Sequence, residues 1–230
     1  KPLERKNFLV CVVDYQLPDH IRNVSRQPYE EIKGLIIGGA DRVNEPRTFD
    51  YFPAVTHYGL LEHTIETVTR ENFNFTAAFH LEGLDISKGK LERIEQDAFQ
   101  DLFRLVDVDL SKNRIDYIHP QTFSILSNLE KLSLNDNNLI AVEMDTFNSN
   151  RKLNYLNLRN NKFAFIAPQA FEGLYGLREL YFAGNACITN DYKPPRVPTL
   201  RMIFAQQCPE TLAIVDLLSD RRLDFEADYE

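Results

Sequence analysis

Three consecutive stretches of 24 residues decide the fold: LVDVDLSKNRIDYIHPQTFSILSN at 105–128, LEKLSLNDNNLIAVEMDTFNSNRK at 129–152 and LNYLNLRNNKFAFIAPQAFEGLYG at 153–176. Each begins with the pattern L-x-x-L-x-L-x-x-N-x-L, in which Val, Ile or Phe replaces some of the leucines. Each also places a phenylalanine 18 residues after its first leucine. A fixed period of this length predicts a stack of similar structural units.

The same period continues on both sides of these stretches. One further complete unit precedes them, and a truncated one follows them at Leu177. Two less regular units lie nearer the N-terminus, with a deletion in one and an insertion in the other. The sequence thus predicts seven repeats over residues 32–185; they begin at Ile32, Val55, Leu81, Leu105, Leu129, Leu153 and Leu177, and the asparagine position of the first three holds Ala40, His63 and Gly89.

A short strand in each repeat explains the apolar positions. In L-x-x-L-x-L the period is two, so the fourth and sixth positions point inward from a parallel strand. One repeat cannot bury its inner face alone, whereas stacked repeats share a continuous core. The asparagines are predicted to form a ladder that satisfies backbone groups at the inner turn, and the phenylalanines a buried spine. The ladder comprises Asn113, Asn137, Asn161 and Asn185, and the spine Phe49, Phe73, Phe99, Phe123, Phe147 and Phe171.

These repeats resemble the leucine-rich repeat family, in its extracellular 24-residue subtype, over residues 32–208. The segments IHPQTF at 118–123 and IAPQAF at 166–171 are similar to the convex segment of that subtype. The resemblance implies an α/β fold, namely a curved leucine-rich repeat solenoid with a parallel sheet on its concave face and a cap at each end. It also implies a protein that binds other proteins.

The ends of a solenoid expose apolar edges unless they are covered, so an N-terminal cap is expected at 1–31 and a C-terminal cap at 186–225. The β-like run at 8–15 predicts a strand inside the N-terminal cap, just before the first repeat. The C-terminal part is predicted to contain a loop at 192–198, a helix around 200–204, a second helix at 211–218 and an acidic tail at 226–230.

The chain has three cysteines. The resemblance implies a disulfide between Cys187 and Cys208. The family's C-terminal cap usually carries four cysteines, and this cap would be a simpler version with two. The disulfide would close a loop of about 20 residues and contribute roughly 3 kcal/mol. Cys11 lies on the order of 30 Å away if seven strands at ~4.8 Å separate it from Cys187. We interpret Cys11 as a thiol buried in the cap strand, with an intermolecular disulfide as the alternative; a homodimer through the N-terminal end is a further prediction.

Composition and charge favour a folded extracellular protein. The 26 basic and 34 acidic residues give a net charge of −8, which is unfavourable for binding nucleic acid or an anionic membrane. The longest strongly apolar run, at 8–13, is far shorter than the ~20 residues of a membrane span. Two sequons, at Asn23 and Asn74, predict a secreted glycoprotein. The start at Lys1 instead of a methionine is expected of a mature or trimmed product.

The candidate binding residues occupy the third, fifth and seventh positions of the repeats, which face the concave side. The N-terminal repeats carry small or apolar residues there, the central ones acidic residues, and the C-terminal ones aromatic and basic residues. Exposed tyrosines and arginines are frequent interface anchors, and acidic clusters steer basic partners. Either this face is ordinary solvated surface, or it binds a protein through Asp85, Asp107, Asp109, Lys131, Tyr155, Arg159 and Tyr181.

The sequence indicates no enzyme, no cofactor and no metal site. It contains no nucleophile-elbow, zinc-protease, phosphate-loop or dinucleotide-binding motif, and its five histidines accompany no cysteine pair. Asp85, Asp107 and Asp109 lie on adjacent predicted strands and could attract Ca²⁺. Carboxylates that repel one another in solvent are the favoured interpretation.

The leading functional prediction is a secreted protein that binds another extracellular protein through its concave face. The short divergent caps look like those of secreted invertebrate innate-immunity members of the family, which is an analogy at the level of the fold. The alternatives are the ectodomain of a receptor and an extracellular matrix or adhesion scaffold. An apolar run of ~20 residues after Glu230 would favour the receptor, and a heptad pattern there a secreted complex assembled by a coiled coil.

Overall fold

Eight parallel strands form the main sheet of the computed structural model, which describes residues 10–14, 33–38, 54–73, 78–192 and 197–226. The sequons at Asn23 and Asn74, Phe49 of the spine and Ala40 of the ladder lie outside the described residues. The strands of this sheet are β1 (Val10–Asp14), β2 (Gly34–Gly38), β3 (His57–Leu61), β5 (Gly83–Ser87), β7 (Asp107–Asp109), β8 (Lys131–Ser133), β10 (Tyr155–Asn157) and β12 (Glu179–Tyr181). Two smaller parallel sheets pair β4 (Thr67–Val68) with β6 (Arg93–Ile94) and β9 (Ala141–Val142) with β11 (Phe165–Ile166).

Each strand of the main sheet pairs with the strand of the next repeat in the same register. Leu156 lies opposite Leu132 on one side and Leu180 on the other, and all three side chains are fully buried. The neighbouring Tyr155 and Asn157 are more exposed. This alternation is what the period of two predicted, and the parallel solenoid is confirmed.

The strand predicted inside the N-terminal cap continues the repeat register. β1 pairs in parallel with β2, and Cys11 lies opposite Leu35, which follows it by 24 residues. With that spacing, Phe8, Cys11 and Val13 take the positions of the three leucines in L-x-x-L-x-L. The sequence did not reveal this unit because Gln16 replaces the asparagine and no leucine occupies the three positions. Both interpretations of the Cys11 thiol stay predictions.

The asparagine ladder forms at the inner turns. The side chain of Asn137 donates to the carbonyl oxygens of Leu110 and Leu134 at 2.9 and 3.1 Å, and its Oδ1 accepts the N–H of Ile115 at 3.1 Å. One amide therefore binds its own turn and the turn of the preceding repeat. The same type of bond is made by Asn113, Asn161 and Asn185.

The phenylalanine spine runs behind the strands. Its described members are Phe73, Phe99, Phe123, Phe147 and Phe171, all buried. Successive ring centroids lie 6.1, 6.1, 6.3 and 5.7 Å apart. Phe204 extends this packing into the C-terminal cap, with its ring centroid 5.2 Å from that of Phe171. The core is thus continuous along the repeats, as predicted.

The outer edge of β12 is covered by the chain that follows it. Leu180 and Tyr192 exchange two backbone hydrogen bonds, of 3.1 and 2.8 Å, in an antiparallel bridge. The disulfide between Cys187 and Cys208 joins the last repeat to the cap, with the two Cα atoms 5.2 Å apart. This is the pairing that the resemblance implied.

Two helices complete the C-terminal end, and both are longer than predicted. Helix α1 (Val197–Gln207) begins earlier because Pro198 is tolerated in a first turn, where its missing N–H costs no hydrogen bond. Helix α2 (Leu212–Glu226) extends one residue into the predicted tail, and Arg221 on it pairs with Asp116 at 2.5 Å. It therefore lies back along the solenoid. Within the described residues, neither helix has the length and apolar character to cross a membrane.

Replacing Leu132 by alanine should lower the free energy of unfolding by about 2–5 kcal/mol, because the side chain is fully buried between repeats and its removal leaves a cavity. Denaturant melts of the wild type and the variant measure the difference. The exposed neighbour Lys131→Ala is the control and should stay within about 0.5 kcal/mol of the wild type. An unchanged midpoint for Leu132→Ala would contradict the register.

Asn137→Ala is expected to cost roughly 1–3 kcal/mol of stability, since it leaves buried backbone groups of two repeats unpaired. The adjacent Asn138→Ala is a matched control, because the Asn138 side chain donates to the Arg114 carbonyl at the exposed surface. Equal losses for the two variants in chemical denaturation would show that the ladder amide has no special role.

Candidate protein-binding face

The predicted binding residues lie in rows that cross the concave sheet. One row contains Gly83, Asp107, Lys131, Tyr155 and Glu179, and the next contains Asp85, Asp109, Ser133, Asn157 and Tyr181. Arg159 follows β10 by two residues. The structure thus separates the predicted residues into an acidic strip on β5 and β7 (Asp85, Asp107 and Asp109) and a Tyr–Arg cluster on β10 and β12 (Tyr155, Arg159 and Tyr181), with Lys131 on β8 between them.

The acidic strip contains two facing carboxylates. Asp85 lies opposite Asp109, and each accepts a backbone hydrogen bond from the serine two residues later, Ser87 at 3.0 Å and Ser111 at 2.9 Å. Burial raises the pKa of Asp85, and the negative charge of Asp109 raises it further. A basic group of a partner would relieve this unfavourable environment.

Asp107 is the third member of the strip and lies 3.8 Å from the Lys131 ammonium, with both side chains about half exposed. Such an exposed pair is weak, so both groups can exchange it for contacts with a partner at little cost. In the described part of the chain, no group of three or more His, Cys, Asp or Glu side chains is placed to hold a metal ion.

Glycines border the acidic strip on its N-terminal side. A Cβ added at Gly83 would overlap the imidazole of His57, so glycine at this position lets His57 lie over the neighbouring strand. Gly59 also lacks a side chain beside Asp85. The residue directly opposite Asp85 on β3 is therefore Gly59, which has no side chain to cover the carboxylate.

The Tyr–Arg cluster is held together by stacking and charge. The Arg159 guanidinium carbon lies 4.3 Å from the Tyr181 ring centroid, and the Tyr155 and Tyr181 centroids are 5.4 Å apart. Arg159 Nε donates to Asp191 Oδ1 and Oδ2 at 3.2 and 3.1 Å, and its Nη2 donates to the same carboxylate. The Tyr181 hydroxyl donates to Glu179. The guanidinium is thus fixed before any partner binds.

Tyr181 is not the exposed anchor that the sequence predicted. Its side chain is only 7% exposed, since Arg159 covers its ring and Tyr155 packs beside it. The side chain of Arg159 is 40% exposed and Tyr155 is partly exposed. Burial is also the main reason why the pKa of Tyr155 is raised. Tyr155 and Arg159 are therefore presented to solvent, and Tyr181 supports them from below.

Asp191 was not predicted, although it positions Arg159. Its Oδ1 accepts the N–H groups of Phe182 and Ala183, both at 3.0 Å. In the preceding repeat the N–H of Leu158, equivalent to that of Phe182, donates to a carbonyl of the next strand. The Asp191 carboxylate replaces that carbonyl at the end of the stack. It lies outside the periodic part of the sequence, so the repeat pattern carried no signal for it.

Asp191→Asn is expected to destabilise the protein near neutral pH, and the difference from the wild type should disappear in acid. The hydrogen bonds from Arg159 hold the pKa of Asp191 below its usual value. The ionised carboxylate therefore stabilises the folded state above the unfolded pKa of about 3.9, and this is lost as the pH falls through the lower folded pKa. Denaturant melts from neutral pH to about pH 2 test it.

Arg159→Gln provides the matched background for this test. Without the guanidinium, the effect of Asp191→Asn should shrink at neutral pH, because the charged donor is gone. A difference between wild type and Asp191→Asn that stays constant with pH would contradict the role of the ion pair.

Comparison with known proteins identifies the repeats. The family model described as leucine rich repeat matches residues 79–139 and 127–186. No curated protein matches the chain by sequence. Among the solved structures that match is one titled "Crystal structure of TLR13-ssRNA13 complex", at 21% sequence identity and a TM-score of 0.51, covering 77% of this chain and 28% of that chain.

At this identity the likeness to that structure shows the fold alone, and the present chain spans less than a third of its length. The family match covers the four regular repeats and most of the truncated one, where the ladder and the spine are most regular. Strands β3 and β7 pair with β5 on its two sides in the same register, so the parallel sheet continues the repeats in both directions. Residues 79–186 therefore belong to the leucine-rich repeat family.

Proposed function

We propose that this chain is a protein-binding module, not an enzyme, and that it holds its partner on the concave face. The observation that carries the proposal is the fixed arrangement of Arg159 over Tyr181, with Tyr155 beside them. Tyrosine and arginine supply much of the binding energy in many protein interfaces. Here both residue types are placed next to each other on a face whose strand positions are not needed for stacking.

Preorganisation makes this cluster suited to binding. Immobilising a flexible side chain on association costs about 0.5–1.5 kcal/mol. Asp191 and Tyr181 already hold Arg159 in place, so most of that loss is avoided. The N–H groups of Arg159 that do not bind Asp191 remain as donors to a partner carbonyl or carboxylate.

The charge pattern of the face defines the chemistry of the partner. The acidic strip favours basic side chains, and the net charge of −8 steers a basic protein toward it. The partner that fits best thus carries a basic patch next to apolar or acidic groups that contact Tyr155 and Arg159. Because the strip is partly exposed, its contribution should weaken with added salt.

The proposal places the protein outside the cell, as a secreted glycoprotein. The Cys187–Cys208 disulfide supports this, since such bonds persist in oxidising compartments. The sequons at Asn23 and Asn74 are the candidate glycosylation sites. Recognition in innate immunity is the proposed role of the secreted form, by analogy of fold. Intact mass measurement of the protein purified from extracellular fluid, with and without deglycosylation, tests the sequons and the compartment together.

The immobilised wild-type chain is expected to retain a protein partner from native extracellular fluid, and Tyr155→Ala should weaken that binding at least about tenfold. Tyr175→Ala is the matched control: this tyrosine is 90% exposed and lies on the loop before β12, outside the concave rows. Quantitative mass spectrometry of the eluates compares the three baits.

A second variant tests the acidic strip. Asp109→Asn removes one charge while it keeps an oxygen that can accept the N–H of Ser111, so the strand should remain intact. The salt dependence of partner binding should become shallower in this variant. Retention of the partner by Tyr155→Ala and Asp109→Asn at wild-type strength would exclude the concave face as the binding surface.

A further inference from the structure

Two consecutive ladder positions hold residues other than asparagine, one with a large side chain and one with none. His63 occupies the ladder position of the second repeat, and Gly89 that of the third. The His63 side chain is 2% exposed, and a Cβ added at Gly89 would overlap its ring. The imidazole therefore fills the slot that the absent side chain of Gly89 leaves open.

The imidazole also lies beside the backbone that an asparagine at position 89 would bind. In the regular ladder, Asn113 donates to the carbonyl three residues before it and accepts the N–H of Leu91, two residues after the preceding ladder position. For position 89 the equivalent residues are Ile86 and Ile65. Their backbone groups are the ones that act on the His63 ring. His63 thus reaches forward by one repeat and occupies the space of the missing amide, without reproducing its hydrogen bonds.

This replacement leaves the imidazole without hydrogen bonds. Neither Nδ1 nor Nε2 of His63 makes one of normal geometry within the described residues, although the backbone of Ile65 and Ile86 is near. Burial lowers the pKa of His63, and these backbone groups raise it by less. Burial therefore favours the neutral ring, and the two backbone groups offset only part of the cost of an imidazolium there.

In the described part of the chain, no charged side chain compensates for protonation of His63. The three causes that act on its pKa are burial and the two backbone groups. The charged residues that flank the two ladder positions, Glu62, Lys88 and Lys90, are exposed to solvent. Residues 39–53 of the preceding repeat lie outside the described residues, and their sequence contains Asp41, Arg42, Glu45, Arg47 and Asp50.

We propose that His63 and Gly89 form a pH-sensitive joint between the second and third repeats. The neutral imidazole fills the ladder position and packs between the two repeats above the unfolded histidine pKa of about 6.5. Because the folded state disfavours the charged ring, this contribution is lost progressively as the pH falls from that value toward the lower folded pKa. The second and third repeats then separate locally, while the hydrogen bonds of the asparagine ladder keep the later repeats stacked.

Hydrogen exchange of the full chain tests the joint. Between about pH 7.5 and 5.5, after correction for intrinsic exchange rates, protection of the amides of β3 should fall by up to about tenfold, which is the limit for one titrating group over this range. Amides of β8 and β10 should keep their protection. His57→Gln removes the other histidine of the same repeat and should leave this loss of protection unchanged.

The double variant His63→Asn/Gly89→Asn restores a regular ladder and decides the proposal. Asn113 and Asn137 show that the turn accepts asparagine at consecutive positions, so this variant is expected to fold. Its β3 amides should remain protected at the lower pH. An equal loss of protection in the double variant and the wild type, or its disappearance in His57→Gln, would overturn the assignment to His63.

Because His63 and the side chain of a residue at position 89 would share one space, the stabilities of their variants at neutral pH are linked. Gly89→Asn alone should lower the denaturation midpoint because its side chain collides with His63, and His63→Asn alone should lower it because the slot is left empty. The double variant should be more stable than either single variant. Additive losses would show that the two residues do not exchange places and would reject the joint.

Discussion

The hydrogen bonds of the ladder asparagines are the interactions on which the solenoid depends. At every inner turn the chain leaves its strand inside the core, where N–H and carbonyl groups cannot reach water. Asn137 satisfies such groups in its own turn and in the turn of the preceding repeat. The same amide thus fixes both the turn and the stacking register. The register in turn determines which strand positions share the concave face.

This dependence explains how much of the fold the sequence predicts. From Leu105 to Asn185 every repeat meets the same backbone requirement with the same residue, so the period reveals strands, ladder and spine together. At the N-terminus β1 obeys the register without an asparagine, and only its pairing with β2 shows this. In the C-terminal cap there is no period, so the extents of α1 and α2 depended on propensity alone and were underestimated.

The sequence predicts which residues lie on the candidate face, but not which of them are exposed to solvent. Strand alternation is local, and it correctly places Asp85, Asp109 and Tyr155 in concave rows. The burial of Tyr181 depends instead on Arg159, which is held by a carboxylate 32 residues further along the chain. A contact between a repeat and an irregular loop leaves no trace in the period, which is why Asp191 was missed and Tyr181 was expected to be exposed.

The irregular positions lie where the regular ladder ends, and this has a physical cause. Between Asn113 and Asn185 each turn has an identical neighbour, so a neutral amide satisfies both. At the last strand the next repeat is absent, and the Asp191 carboxylate takes over its acceptor role. At the other end Gly89 supplies no amide, and the His63 imidazole occupies its slot. Both substitutes are titratable groups, whereas the amides between them are not. Within the described repeats the ladder therefore meets titratable groups at its two ends, while the stacking between them depends on amides whose charge does not change.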